Sequence, residues 1–421
     1  MQRLFVCVFV VVLVVAGLPP SSSAAQGQDD SAFDPEVIAW LHANAVPLDS
    51  AEPGSGYEDL LPLQDMIGDA RIVALGEATH TTREFFTMKH RLVEFLVQEM
   101  GFTVFALEAG WPEAERLNHY VLTGEGDPVE ALAYLGIFNT VEMLDLVLWM
   151  RDYNATRGDA PPVQFTGFDA QAGNLAAQTV IAYVETVDPE TVPVVEQQLG
   201  CVLVFDRDRM ATPECRESTQ VVLSLLETNA EEYTALTSPE EYEIALHHAE
   251  IAAQSAVIAP ENRYERDRFM ADNVTWLLDH AAPNAKIILS AHNYHVGRSG
   301  YVMGTRLAER YGDDYLPVGF ALYGGTYGLF GGLGGYRVLD LPALGSDSLA
   351  AFFQTTGYPF LAVDLRTAQA DRGVWQWLLR PHPVIQFGDE LAASITISLG
   401  ANFDLVVYIE QTTAARPLFW E

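Results

Sequence analysis

The 421-residue chain has little positive charge and almost no lysine. Lys89 and Lys286 are its two lysines, and 57 acidic residues against 23 basic ones leave a formal net charge of −34. Because such a polyanion repels other polyanions, nucleic acid and anionic membrane surfaces are poor candidates as partners. An acidic surface with arginine in place of lysine is typical of high-salt habitats or GC-rich genomes, so the charge describes an environment and not a chemistry.

Long apolar runs are also missing, except at the amino terminus. Arg3 is followed by apolar residues 4–18 and then by small residues at 21–25. The run is shorter than the roughly 20 residues that a membrane-spanning helix needs, and small residues stand where signal peptidase cuts. We therefore predict a signal peptide cleaved near Ala24 or Ala25, a secreted or periplasmic protein, and no membrane association after cleavage.

Cysteine is scarce, with three residues in the whole chain. Cys7 lies in the predicted signal peptide, which leaves Cys201 and Cys215 for the mature protein. In an oxidising compartment two remaining cysteines separated by a short polar loop are expected to pair. We predict a Cys201–Cys215 disulfide, which makes a cysteine nucleophile an unfavoured hypothesis.

Short apolar runs and helical patterns alternate along most of the chain. Residues 72–75 and 103–107 flank an amphipathic helical pattern, which predicts one βαβ unit with parallel strands and a right-handed crossover. Similar runs follow at 163–168, 287–290, 316–322, 360–363 and 405–409. This alternation predicts an α/β fold with a largely parallel central sheet flanked by helices.

The same patterns predict the domain organisation. Residues 1–25 are the signal peptide, 26–56 an N-terminal lead-in with one short helix, and 57–421 a single α/β domain. Between about 172 and 279 the pattern is mostly helical and acidic, which predicts an inserted helical subdomain. Its role is either simple packing or one wall of a cleft.

Polar side chains follow four of the predicted strands at the point where each strand ends. Ligands of open α/β sheets bind beyond the carboxyl ends of the strands, so these residues are candidates for one site. A Glu-x-x-His pair alone is mostly a helix cap or a solvated group, but convergence of several strand ends supplies histidine and carboxylate together, as general base catalysis requires. The candidates are Glu77 and His80, then Glu108 and Trp111, then Asp169, and finally His292, Asn293 and His295.

Arg266 is a further candidate because it lies on the helical segment 264–280, which leads into the strand carrying His292. With Met270 and Asn273 it shares one helix face. An arginine there either stabilises an oxyanion or forms an ion pair with a neighbouring carboxylate, and spacing alone does not separate these interpretations.

Several of these segments, in this order, resemble the erythromycin esterase family over residues 70–410. The matching segments are Gly76-Glu77-Ala78-Thr79-His80, Arg83-Glu84-Phe85-Phe86, His90-Arg91-Leu92, Glu108-Ala109, Arg266-Asp267 with Met270-Ala271 and Asn273, Ala291-His292-Asn293-Tyr294-His295, and Phe403-Asp404-Leu405-Val406-Val407-Tyr408 with Thr412-Thr413. The resemblance implies an α/β enzyme that opens macrolide lactones by attack of activated water, without metal or cofactor. The absence of a Gly-x-Ser-x-Gly nucleophile elbow from the sequence agrees with this.

Carried over by position, the resemblance implies roles for single residues. His80 looks like the general base, Glu77 and Glu108 like its carboxylate partners, and Arg266 with His292 or His295 like oxyanion contacts. We also expect four residues to contact the substrate, namely Lys89, Trp111, Asp169 and Asn293. Some family members carry arginine at Lys89 and usually glycine at Thr81, and because lysine lacks the guanidinium fork, these departures leave the substrate's identity open.

Two alternatives to a metal-free esterase remain at this stage. Five residues offer the nitrogen and oxygen ligands that catalytic zinc uses, although the chain has no His-Glu-x-x-His motif. They are Glu77, His80, Glu108, His292 and His295. The second alternative is a cleft that binds a small molecule without turning it over. In either case we expect a monomer whose partner is a small molecule, an ester in the favoured interpretation.

Overall fold

The structure is a computed structural model that describes residues 33–204, 206–259, 262, 264–331, 335–387 and 391–418. The chain from Phe33 onwards forms one compact unit. The predicted signal peptide and the first part of the lead-in lie outside the described residues. Across these ranges, no helix combines the length and the apolar character needed to cross a bilayer.

The strands and helices follow one another in the alternation that the sequence predicts. The strands are β1 (Val46–Pro47), β2 (Ile72–Leu75), β3 (Val104–Gly110), β4 (Gln164–Asp169), β5 (Ile287–Ser290), β6 (Tyr315–Gly331), β7 (Gly335–Asp340), β8 (Phe360–Asp364), β9 (His382–Phe387), β10 (Ala392–Ile397) and β11 (Leu405–Thr412). The helices are α1 (Pro35–Asn44), α2 (Pro62–Ile67), α3 (Arg83–Met100), α4 (Trp111–Thr123), α5 (Pro128–Leu132), α6 (Val141–Thr156), α7 (Asn174–Val187), α8 (Val192–Leu199), α9 (Arg207–Met210), α10 (Pro213–Thr228), α11 (Ala230–Leu236), α12 (Pro239–Ser255), α13 (Tyr264–His280), α14 (Asn293–Val296), α15 (Met303–Tyr311), α16 (Leu349–Gln354), α17 (Arg372–Leu378) and α18 (Leu399–Asn402).

The central sheet has the order β1-β8-β11-β6-β2-β5-β3-β4, with β7 paired to β6. All pairs from β11 to β4 are parallel, whereas β1, β7 and β8 are antiparallel to their neighbours. The predicted α/β fold with a largely parallel sheet is therefore confirmed. The βαβ prediction needs one refinement, because β5 lies between β2 and β3 and hydrogen-bonds to both. A separate antiparallel hairpin, β9–β10, was not predicted.

The strands at the centre of the sheet are apolar on both faces because helices cover both. Along β2, Ile72 and Ala74 pack into one hydrophobic core with helix α13, while Val73 and Leu75 pack into another with helix α3. This is the two-sided burial expected of a parallel sheet, in which side chains alternate between the faces.

Helices α7 to α13 form the helical region between β4 and β5 and bury their own hydrophobic core. The predicted disulfide lies here, joining Cys201 to Cys215 with 5.8 Å between the Cα atoms. The last helix of the region, α13, packs on α15 and against β4. It is therefore anchored to the edge of the sheet where the polar residues collect.

Candidate active site

A cleft of about 1000 Å³ opens at the carboxyl ends of the parallel strands. Strand ends β2 to β5 and helix α13 deliver its polar lining, as the sequence reasoning expects of an open α/β sheet. The residues that the structure brings together here are His80, Glu108, Asp169, Arg266, His292 and His295. Their placement at one edge is observed, while the role of each residue stays a prediction.

His80 is oriented by a chain of buried polar groups behind it. Its Nδ1 lies 2.8 Å from Glu77 Oε1, and Lys89 Nζ donates to Glu77 Oε2 at 2.5 Å. Lys89 Nζ also donates to Ser290 Oγ at 3.0 Å. Because the Glu77 carboxylate accepts from Nδ1–H, the basic lone pair of the imidazole is on Nε2. The side chain of His80 is 21% exposed, so its ring reaches the cleft although Glu77 does not.

Lys89 was predicted to contact the substrate, and this is wrong. Its side chain is buried, and its ammonium donates hydrogen bonds to Glu77 and Ser290. Burial lowers its pKa, and the neighbouring Glu77 carboxylate acts against this. The ammonium instead holds Glu77, which makes Lys89 a positioning residue for the His80 pair.

Arg266 connects two strand ends through its guanidinium. Nη2 donates to Glu108 Oε1 and to Asp169 Oδ2, both at 2.7 Å, and Nε donates to Asp169 as well. Burial works against the ionised form of each acid. However, His295 and Arg266 hold the pKa of Glu108 well below its usual range, and Arg266 lowers that of Asp169. The two carboxylates in turn raise the pKa of Arg266, so all three groups are charged.

The geometry of Arg266 therefore contains the ion pair that the sequence reasoning left as one alternative. The ion pairs do not use every nitrogen of the guanidinium. Nη1 donates to none of the carboxylates that the structure describes and lies 3.1 Å from His295 Nε2. Asp169 lines the cleft as predicted, but its oxygens are taken by Arg266, Gln171 and the N–H of Ala170. Asp169 therefore holds Arg266 in place, and its contact with a substrate stays a prediction.

His295 is held as a cation between two carboxylates. Its Nδ1 lies 2.7 Å from Asp267 Oδ1, and its Nε2 lies 3.3 Å from Glu108 Oε1. Burial alone would lower the pKa of His295, but Glu108 and Asp267 raise it to about 9. Asp267 was not among the sequence candidates, because it lies outside the helix face that Arg266 shares with Met270 and Asn273. The signal was present in the adjacent Arg266-Asp267 pair of the family motif.

His292 is in the opposite protonation state. Its Nε2 lies 3.3 Å from the carbonyl oxygen of Ala78, and its Nδ1 accepts the N–H of Tyr294 at 3.3 Å. Burial and the nearby His80 hold its pKa well below the usual range, so the ring is neutral. Its ring centre is 5.0 Å from that of His80. His292 and His295 both line the cleft, but of these two only His295 carries a positive charge.

Asn293 was predicted to bind the substrate, and the structure contradicts this. Its amide nitrogen donates to the carbonyl of Phe320 at 2.8 Å, and its oxygen accepts the N–H of Phe320 at 3.0 Å. The side chain therefore fixes the end of β5 to β6. It also explains Gly76, where a Cβ atom would lie 2.1 Å from Asn293 Oδ1.

Trp111 does not line the cleft either, contrary to the prediction. Although it follows Glu108 closely, it begins helix α4, and its ring points into the helical region. There it is buried against His247, His248 and Trp276, with ring centres 4.5 to 5.2 Å away. The sequence placed it in the right segment, but the helix start turns its side chain away from the cleft.

The described ranges contain no group of three or more histidine, cysteine, aspartate or glutamate side chains arranged to hold a metal ion. The five residues considered as ligands from sequence are divided among separate hydrogen-bonded pairs. Glu77 bonds to Lys89 and His80, whereas Glu108 bonds to Arg266 and to the backbone N–H of His292.

Comparison with known proteins agrees with the resemblance seen in the sequence. The family model named Erythromycin esterase matches residues 97–412. An Escherichia coli protein named erythromycin esterase type II is 29% identical over 325 residues, which are 68% of this chain and 77% of that one. The family match includes Glu108, Arg266 and His295, whereas Glu77 and His80 precede it.

Two solved structures share the fold. A Bacillus cereus protein is 31% identical with a TM-score of 0.80, covering 91% of this chain and 99% of its own. An erythromycin esterase mutant, EreC with a histidine replaced by asparagine, was solved in its open conformation and aligns with a TM-score of 0.67. At 19% identity, over 86% of this chain and 96% of that one, the second similarity speaks for the fold alone.

Proposed function

The chain belongs to the erythromycin esterase family and is a hydrolase, and we propose that it cleaves a carboxylic ester with His80 as the general base. The observation that carries the proposal is the His80–Glu77 pair at the floor of the cleft, with 2.8 Å between Nδ1 and Oε1. A carboxylate on Nδ1 fixes the tautomer that leaves Nε2 able to accept a proton from water. No serine or cysteine nucleophile is needed.

In the proposed reaction, water loses a proton to His80 Nε2 while its oxygen adds to the ester carbonyl carbon. Negative charge develops on the carbonyl oxygen. Arg266 Nη1 and the imidazolium of His295 supply the nearest positive charge, and the two lie 3.1 Å apart between Nη1 and Nε2. Preorganised charge of this kind typically contributes about a hundred- to a thousandfold in rate.

We further propose a bulky ester as the substrate, with a macrolide lactone as the first to test. The cleft volume of about 1000 Å³ reaches the upper end of ordinary ligand pockets, which hold roughly 300 to 1,000 Å³. The name of the Escherichia coli relative supports the same choice. Hydrolysis of the lactone would open the macrocycle and protect a cell from the drug, which is a resistance function.

The test is mass spectrometry of macrolides of both common ring sizes after incubation with the purified enzyme, with and without a chelator. A gain of one water that persists with the chelator and disappears in His80→Ala is the expected result. A gain that the chelator abolishes would instead favour the metal-dependent alternative. If no macrolide gains water but simpler esters do, the hydrolase assignment stands and the macrolide proposal is wrong.

We also propose that the enzyme is exported and works as a monomer on a small-molecule ester. The Cys201–Cys215 disulfide supports export, because structural disulfides persist in oxidising compartments. Fractionation of the producing cells and sequencing of the mature amino terminus test this. Export predicts a protein outside the cytoplasm that begins near Ala25 or Gln26, and an intact Met1 on a cytoplasmic protein would contradict it.

A further inference from the structure

Glu113 is a carboxyl group of the cleft that the proposed reaction does not yet use. It lies in the first turn of helix α4, three residues after Gly110, and lines the same cleft as His80. The residue is 8% exposed, and its Oε2 atom is buried without a hydrogen-bond partner among the residues that the structure describes. A glutamate at this helix position commonly bonds back to the residue that caps the helix, but Oε2 makes no such bond.

Each of the other acids around the cleft is hydrogen-bonded to a positively charged side chain. These pairs are Glu77 with Lys89, Glu108 with Arg266, Asp169 with Arg266, and Asp267 with His295. Glu113 has no hydrogen bond to a cation in the described part of the chain. The charged groups that act on it are Asp169 on β4 and Arg116 and Glu115 on its own helix.

This environment favours the neutral carboxylic acid. Burial is the largest cause that raises the pKa of Glu113 from 4.5 to about 7, and the Asp169 carboxylate adds to it, while its own backbone N–H and Arg116 act in the opposite direction. A proton is therefore available on Glu113 at neutral pH. Where two titratable groups of one site are pushed in different directions by their surroundings, one is suited to act as acid and the other as base.

We propose that Glu113 is the general acid of this site, a catalytic residue that protonates the departing alcohol. The inference rests on the proposed ester hydrolysis. After water has added to the carbonyl carbon and given its proton to His80, the carbon–oxygen bond to the alcohol breaks. The alkoxide oxygen takes the proton of Glu113. His80 then releases its proton to solvent and Glu113 regains one, so that ester and water become acid and alcohol.

The histidines of the cleft are less suited to this step. Both ring nitrogens of His292 are occupied by backbone groups, and both of His295 face carboxylates. His80 is used as the base. Glu113 is the cleft acid whose proton is not already shared with a bonded partner among the described residues.

The test exploits the leaving group. An alkoxide leaves poorly without a proton, whereas 4-nitrophenolate leaves unaided, so loss of a general acid should affect ethyl butyrate far more than 4-nitrophenyl butyrate. In Glu113→Gln we expect kcat/KM for the ethyl ester to fall about a hundredfold or more and that for the nitrophenyl ester about tenfold or less. Glu125→Gln is the matched control, since Glu125 lies just beyond the far end of α4 with its side chain 80% exposed, and it should change neither.

Gly110→Ala is a second variant, which keeps the Glu113 carboxyl group but displaces it. A Cβ atom at Gly110 would lie 2.0 Å from Glu113 Oε2, while the backbone of Gly110, at φ −57°, suits any residue. The fold should therefore tolerate alanine, and the ethyl ester should again lose more than the nitrophenyl ester. Equal losses on both esters in Glu113→Gln would overturn the acid role and leave ester hydrolysis standing.

The protonation state can be tested without turnover. A carboxyl group whose pKa is higher in the folded than in the unfolded protein costs stability progressively as pH rises from about 4.5 to about 7. The thermal midpoint of Glu113→Gln should therefore rise relative to wild type across this interval and be equal to it at pH 4. A constant difference would overturn the proposal. If wild type cleaves neither of these esters and no macrolide, the proposed function fails and the acid role fails with it.

Discussion

Histidines lie beside carboxylates in two regions of the molecule, the strand-end cleft and the interior of the helical region. In the cleft, His80 and His295 have carboxylate partners that are themselves held by further groups. In the helical region, His247 lies 3.0 Å from Glu250 and stacks flat on Trp276, with 3.8 Å between ring centres. Its Nε2 is buried without a partner in the described residues, and burial lowers its pKa.

The two regions show that a short distance between histidine and carboxylate does not by itself mark a catalytic site. Glu250 is 41% exposed and has solvent around it, so it holds His247 loosely, whereas Glu77 is buried and fixed by Lys89. His247 in the helical region is therefore a packing residue. The histidines of the cleft are fixed by a second layer of polar groups, which is the support that a working site requires.

The largest expected effect separates these regions directly. We expect His80→Ala to lower kcat by about a thousandfold or more with little change in stability, because the general base is lost from a partly exposed position. His247→Ala should retain near-normal kcat, but its free energy of unfolding should fall by about 2 kcal/mol, since a stacked aromatic contact is removed. Steady-state kinetics and denaturant unfolding of both variants measure this. A His247→Ala enzyme with the kinetic defect of His80→Ala would erase the distinction.

Arg266 gives the next largest effect. In Arg266→Lys a single ammonium cannot reach Glu108 and Asp169 while presenting a nitrogen to the substrate, so kcat/KM should fall about a hundredfold. Arg268→Lys is the matched control on the same helix, because Arg268 bonds to Glu265 and Asp272 away from the cleft lining. Similar kinetics for the two variants would mean that Arg266 is an ion-pair residue and nothing more.

Lys89 should affect the reaction indirectly, by positioning Glu77 and through it His80. We expect Lys89→Met with Glu77→Gln, which removes both charges together, to lower kcat about tenfold to a hundredfold with KM nearly unchanged. Lys286→Met, at the other lysine, should leave both constants as they are. A large rise in KM for the double variant would contradict the positioning role.

The last effect concerns the stability of the fold at alkaline pH and not the activity. The pKa of His295 is raised from 6.5 to about 9 on folding, so its protonation stabilises the fold fully below pH 6.5 and this contribution is lost as pH rises through 9. The loss amounts to about 3 kcal/mol at one pKa unit per 1.36 kcal/mol. Denaturant unfolding between pH 6 and 10 should show it, and Asp267→Asn should reduce it. An unchanged slope in Asp267→Asn would place the cause elsewhere.

Much of the fold was predictable because its signals are local. The apolar run Ile72–Leu75 and the helical pattern of α3 mark themselves by period and by the glycines that follow, Gly76 and Gly101. The order of strands was not predictable. Nothing in the sequence of β5 says that it inserts between β2 and β3, because that is decided by how the complete sheet buries its faces.

The candidate site follows the same division. His80, Glu108 and His295 could be placed at one edge, since any residue directly after a parallel strand ends there. The direction in which each side chain points could not be predicted. Asn293 follows its strand as closely as His292 does, but its amide bonds to the backbone of β6, and Trp111 turns into the helical region because α4 begins at that residue. Asp267 was missed because its partner, His295, is distant in sequence.

The burial of Lys89 has a practical consequence for handling the protein. Of its two lysine amines, that of Lys89 is buried and paired with Glu77, and the other belongs to Lys286, directly before β5. Since the cleft lies beyond the opposite end of that strand, amine-reactive chemistry at Lys286 would attach the enzyme by its far side. If the amino-terminal amine is blocked beforehand, molecules coupled to a bead or a sensor surface through Lys286 would share one orientation, with their clefts turned towards the solution.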